Sequence, residues 1–251
     1  MRTTLYPVRT PQRRALVSKK TPKQYLDRLL QSQDPIAIMP RPLVQAPIWR
    51  CPREAAGEAA RTYSYLEPYT NRNNSPGIAS HRVTTTNALP LGEPGSGLLR
   101  YHDLDVAMAL SWPIANGEEN AVIRLPQAMR LMGYRTLSQR AYATVHESLI
   151  RLSSVQVRFG DHTSNGRAPL VHIFDEAQIQ PSQTGGRAQE ICVIPSAWWR
   201  KTISQGGWQA IDIDAYLTLR QVYPGKPLAR LMFAYLASCR ASGTNSFVTP
   251  P

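Results

Sequence analysis

The side chains with chemistry to offer are few, and their spacing excludes most of it. The five histidines, His81, His102, His146, His162 and His172, show none of the H-x-x-x-H, H-E-x-x-H or H-x-H spacings that gather metal ligands. Cys51, Cys192 and Cys239 are odd in number, far apart and in no C-x-x-C pair, which excludes a disulfide framework or a cysteine-rich zinc site and suits a reducing, cytoplasmic setting. Neither a G-x-x-x-x-G-K-S/T nor a G-x-S-x-G pattern occurs, so nucleotide hydrolysis and serine-hydrolase chemistry have no support. His102-Asp103 has the composition of a base and its orienter, but neighbouring residues of one helix do not face each other, and a helix-start Asp is the plainer reading. Gly92-Glu-Pro-Gly-Ser-Gly97 has no strand before it and no Lys-Ser/Thr after it, so it reads as a linker. Trp198, Trp199 and Trp208 could stack on bases, but core positions are the commoner use of such residues. No catalytic residue, metal or cofactor is expected.

What remains is binding. Leu137, Ala141, Val145, Leu149 and Leu152 recur every three or four positions and form one apolar stripe, predicting a helix from Thr136 to about Ser153. Its other face then presents Thr136, Gln139, Arg140, Ala143 and Glu147. Arg suits a guanine edge and Gln an adenine edge, because each can bond bidentately to the groups displayed in the major groove. Arg135 and Ser138, at the helix start, fall where phosphates are usually held. A predicted hairpin beyond the helix adds Arg158, His162, Asn165 and Arg167 as contacts to the backbone or the minor groove. Each of these is by itself an ordinary solvated residue; on one face beside a hairpin they favour DNA.

The elements that would position these residues begin near Leu98. Tyr101 to Trp112 has helical spacing and is expected to stop at Pro113. Val122 to Leu125 reads as a strand, Pro126 to Met132 as a helix closed by Gly133, then the longer helix, then strands at Val155–Phe159 and Leu170–Phe174. Helix, strand, helix, turn, helix and hairpin is the layout of a winged helix-turn-helix. A Gln/Gly-rich loop from Gln178 to Gln189 follows, then a strand at Ile191–Ile194, a helix over Pro195–Ser204, Ile211–Ile213, and a last helix from Pro227 to Arg240.

Before Leu98 the chain looks different. The whole sequence carries 29 Lys and Arg against 17 Asp and Glu, a net charge of +12. Residues 1–100 hold 15 of those bases and 6 of the acids, and 12 of the 21 prolines. Residues 1–97 are therefore expected to be a basic, mostly disordered region with one short amphipathic helix at 22–33, opened by Thr21 and Pro22 and carrying Tyr25, Leu26, Leu29 and Leu30. That helix could dock on a partner or on its own domain. No window reaches the roughly 18 consecutive apolar residues of a membrane span, and no secretory h-region is present. Pro7, Pro11 and Pro22 interrupt the basic first 26 residues, against an organellar transit peptide.

Five segments carry a resemblance: Tyr101-His-Asp-Leu-Asp105; Ile123-Arg-Leu-Pro-Gln-Ala-Met-Arg-Leu-Met-Gly133; Gln139-Arg-Ala-Tyr142 through Ser148-Leu-Ile-Arg-Leu152; Val193-Ile-Pro-Ser-Ala-Trp-Trp199; and Ile213-Asp-Ala-Tyr-Leu217 leading to Lys226-Pro-Leu-Ala-Arg-Leu-Met-Phe-Ala-Tyr-Leu236. In order and spacing they resemble the plasmid replication initiator proteins, which are built from two winged-helix domains. The resemblance spans roughly the last 150 residues. It implies binding of double-stranded DNA at direct repeats of a plasmid origin, opening of adjacent duplex and recruitment of host replication proteins such as the replicative helicase, with a homodimer as one arrangement and no membrane partner. The expected organisation is an α+β winged-helix domain over 98–223, preceded by the basic region and followed, at 224–251, by the start of a truncated second winged-helix domain. A winged-helix transcriptional regulator and a partner-recruiting adaptor are the alternatives.

Overall fold

The computed structural model describes residues 36–240, apart from 51–56, 71–75, 116–119, 135, 137, 162–169, 182–188 and 224–225. The helix expected at 22–33 lies outside the described residues. Helices and strands are mixed throughout, and the apolar side chains of all parts meet in one buried cluster.

The described part of the basic region is folded, contrary to the expectation of disorder up to residue 97. Strand β1 (Ile36–Pro40) is buried along its whole length and pairs antiparallel with β9 (Trp208–Asp212), with Ile38 opposite Ala210. A short continuous apolar run of this kind is what a strand buried on both faces requires. The Ile38 amide also donates to Ser111 Oγ at 2.9 Å. Helix α1 (Arg41–Gln45) follows at once, and the Trp49 indole closes the segment by donating to the Leu43 carbonyl at 2.7 Å. Strands β2 (Ala60–Thr70) and β3 (Pro76–Asn87) make a long hairpin in which Tyr63, Val83 and Thr85 turn inward while Thr62, Ser64 and Arg82 stay exposed. That alternation, with period two, is a strand signal that the Pro- and Arg-rich composition obscured. The loop to residue 97, predicted as a linker, is tied down by Asn87, whose Nδ2 donates to the Gly95 and Gly97 carbonyls at 2.9 and 2.7 Å. Gly95 has φ +79° and would place a Cβ within 2.4 Å of Ile150, so no larger residue fits the turn.

Helix α2 (Tyr101–Ala115) is apolar on nearly every side and central to the core. It does not stop at Pro113 but runs two residues further; a proline this close to the end deprives the helix of only one bond while Ile114 and Ala115 remain buried. Then come β4 (Ala121–Arg124), α3 (Leu125–Leu131), α4 (Gln139–Ser154), β5 (Val155–Asp161), β6 (Leu170–His172), β7 (Phe174–Pro181) and β8 (Gln189–Pro195). Two sheets divide these strands. β4, β8 and β7 form a three-stranded antiparallel sheet in that order, whereas β5 and β6 join the early hairpin in a four-stranded sheet ordered β2-β3-β5-β6.

The remaining helices are α5 (Ala197–Ser204), capped by Ser196; α6 (Ile213–Val222), capped by Asp212; and α7 (Pro227–Arg240). What the sequence presents as the opening of a further domain is, over α7, part of the same core: Ala234 is buried and Arg230 is bound to Asp105 of α2. Its other side leaves Leu228, Met232 and Leu236 exposed. Among the described residues no helix is long and apolar enough to cross a membrane.

Candidate nucleic-acid interface

Helix α3 ends at a turn that only certain residues allow. Met132 closes it, Gly133 adopts φ +79°, and the Tyr134 amide returns to the Met129 carbonyl at 2.9 Å, which satisfies carbonyls left over at the helix end. A Cβ at Gly133 would approach Leu217 Cδ2 of α6 to 2.9 Å. Arg220, also of α6, donates from Nη1 to the Met132 carbonyl and places its guanidinium 5.0 Å from the centre of the Tyr134 ring. Burial raises the Tyr134 phenol above its usual pKa, against the opposing pull of the Arg220 cation. The turn is thus clamped from below by a helix some eighty residues further along the chain.

Helix α4 begins three residues later than the periodicity suggests. Ser138 is its N-cap, accepting from the Ala141 amide at 3.2 Å, so Gln139 and Arg140 are the first helical residues and Thr136 stands before the cap. Inward-facing Ala141, Val145, Leu149 and Leu152 are buried as the stripe requires. Thr136, Ser138, Gln139, Arg140 and Ala143 are exposed together, and Glu147, two turns in, is half-buried. The structure therefore brings the central candidates onto one open helix start, where amide groups and the helix dipole favour an anion. The Ser138 oxygen accepts the capping bond, and its hydroxyl hydrogen is what it has to donate to an outside anion. Arg135 lies outside the described residues.

The hairpin departs from the sequence-based expectation. Arg158 is not at a projecting wing: β5 is an inner strand, with Thr84 of β3 opposite Arg158 on one side and Leu170 of β6 on the other. The β5–β6 pairing matches the predicted hairpin, but the partnership with β3 joins residues about seventy to eighty positions apart, which local alternation cannot reveal. His162, Asn165 and Arg167 lie outside the described residues. The hairpin that shares a sheet with β4, next to the α3–α4 turn, is β7–β8, which the sequence presents in part as a loop; Ala177 and Ile179 of β7 pack against the core, and its connection at 182–188 is also outside the described residues. The sequence signal for it was Gly185-Gly186 between two alternating runs.

The polar start of α2 is structural. Asp103 is fully buried, accepts from the Arg100 amide at 2.6 Å and pairs with Arg151 of α4 at 3.2 Å; burial pushes its carboxyl upward while Arg151 pulls it down. Asp105 accepts two bonds from Arg230, at 2.8 and 2.9 Å, and one from the Tyr216 hydroxyl at 2.7 Å. His102 is 3.8 Å from Asp105 and so is not oriented by Asp103. Trp199 and Trp208 are buried, and Trp198 stacks on Phe159 with ring centres 5.1 Å apart, so all three serve packing. Among the described residues no group of three or more His, Cys, Asp or Glu side chains could hold a metal ion.

No protein-family model matches this sequence, and no curated protein matches it. Solved structures that show a likeness to it include two of RctB domains. One is a crystal structure of selenomethionine derivatives of domains 2 and 3 of RctB, with TM-score 0.46 and 10% identity over 79% of this chain and 70% of the other. The second, of RctB domains 2–3, has TM-score 0.40 and 9% identity over 66% and 59%.

Proposed function

We propose that this chain binds duplex DNA as a winged helix-turn-helix protein, with α4 reading base edges, and that it serves as an initiator of plasmid replication. The observation that carries the DNA reading is the start of α4. Gln139 and Arg140 are exposed in its first turn, on a helix whose inner face is fully packed and whose preceding turn is clamped by Arg220. A rigid helix with bidentate side chains at its free start is what major-groove readout needs. The order α2-β4-α3-α4, followed beyond β5 and β6 by the β7–β8 hairpin, with β4 and β7 flanking β8, supports the winged arrangement. No covalent chemistry belongs to this function; binding energy would do the work on DNA. The part played at a plasmid origin rests on the five sequence segments that resemble the plasmid initiators.

The test is selection of bound duplexes from a random pool by the full chain. Recovered sites arranged as direct repeats support an initiator, and a palindrome would instead favour a transcriptional regulator. Recovery of no consensus would remove the sequence-reading role from α4.

A further inference from the structure

We propose that the outer face of the β2-β3-β5-β6 sheet is a second DNA-binding surface, which seats the sugar–phosphate backbone of a duplex. It rests on the DNA-binding function above but on different residues. The strand registers put Thr62, Thr84 and Arg158 side by side in one cross-strand row and Ser64 with Arg82 in the next. Their chain neighbours Tyr63, Val83, Thr85 and Val157 are buried on the opposite face, so these residues face outward. Arg82 and Arg158 lie on adjacent strands at a diagonal offset of two residues, about 7–8 Å apart along the backbone. Neither guanidinium has a carboxylate partner among the described residues; Arg158 Nε is itself buried, which leaves the terminal nitrogens of that side chain for an outside anion.

The chemistry of the face selects its occupant. Hydroxyl, amide and guanidinium donors without a carboxylate at the described positions suit an anion. Among the described side chains, Tyr63 and Phe159 turn their rings to the inner face and the outer one carries a lone imidazole, His172, fixed at its edge by Gln156 and the Ser153 carbonyl, so a run of unpaired bases meets no row of stacking rings there. Among the described side chains, the rows of Thr62, Thr84 and Arg158 and of Ser64 and Arg82 hold no apolar residue, and Leu170, on the edge strand, is exposed. A protein interface normally has an apolar core, and a lipid surface needs apolar side chains to enter it. Phosphates held by Arg and hydroxyl groups are the pattern of backbone positioning in protein–DNA complexes. Arg158 alone was visible as a candidate in the sequence, because the strand that supplies Arg82 lies in a region whose composition reads as disordered.

The experiment measures affinity of the full chain for a short random-sequence duplex as a function of salt. Removing one phosphate-binding cation should lower the slope of log affinity against log salt by roughly 1. Arg82→Gln should do so alone, and Arg82→Gln with Arg158→Gln should lower it by about 2, whereas Arg200→Gln, an exposed charge on α5, should leave the slope unchanged. Because Arg158 is half-buried, Thr62→Glu provides a second route: a carboxylate on the same face should weaken binding without touching either arginine. An unchanged slope in the double variant, an effect no larger than that of Arg200→Gln, or tighter binding of single strands than of duplex overturns the proposal. If the wild-type chain binds no duplex, the DNA-binding function itself falls. If Arg140→Ala abolishes sequence discrimination while the double variant keeps its salt slope, only the role of the sheet falls.

Discussion

The starts of α2 and α4 both carry polar residues in close succession, and the fold uses them in opposite ways. At α2, Asp103 and Asp105 are turned into the core, and each carboxylate has partners drawn from elsewhere in the chain: Arg151 of α4, Arg230 of α7 and the Tyr216 hydroxyl of α6. At α4, Gln139 and Arg140 are exposed and their side chains bind no other described residue, while only Ser138 is committed, as the cap. The charged residues that hold the fold together are buried in ion pairs, because an unpaired buried charge is expensive. Those left open at a rigid helix start cost the fold nothing and are free for a ligand. Residue type alone does not mark function in this chain; whether the polar group is already satisfied does.

Substitutions at the two starts should separate stability from binding. The largest effect is expected for Asp103→Asn, which leaves Arg151 buried without a counter-charge and should cost about 3–5 kcal/mol in denaturant unfolding. Asp105→Asn should cost a similar amount, about 3–5 kcal/mol, since it leaves the buried Arg230 without its counter-charge. Its signature is local: amide exchange over α7 should rise more than over α4. Gly133→Ala forces a left-handed residue against Leu217 and should cost about 1–2 kcal/mol. It should also weaken DNA binding by shifting the start of α4. Gln139→Ala and Arg140→Ala should change stability by less than about 0.5 kcal/mol, the range of ordinary surface substitutions. A large drop in stability at Arg140 would erase the contrast between the two helix starts.

Much of the helical part was legible because its signals are local. Pro126, Gly133 and the stripe Ala141, Val145, Leu149 mark two helices and the turn between them without reference to the rest of the chain. The three-residue displacement of the α4 start arises because apolar spacing continues past Ser138, the residue whose capping bond sets the boundary. The strands were harder, because their partners are remote. β1 needs β9, and β5 needs β3, and neither pairing leaves a trace in sequence spacing. Composition also misled: Pro40 and Pro42 look like marks of disorder, yet Pro40 ends a buried strand and Pro42 opens α1. At the candidate site, the exposed face of α4 could be read from its periodicity, whereas Arg220, which clamps the turn, carried no signal that a sequence could show.

The most direct test compares wild type and Arg140→Ala on a duplex recovered by selection and on a scrambled version of it, at one salt concentration. If α4 reads bases, the variant loses about 1–3 kcal/mol of affinity for the selected site and keeps its affinity for the scrambled one, so that discrimination narrows. Unchanged affinity together with unchanged discrimination would contradict the assignment of α4 as the reading helix.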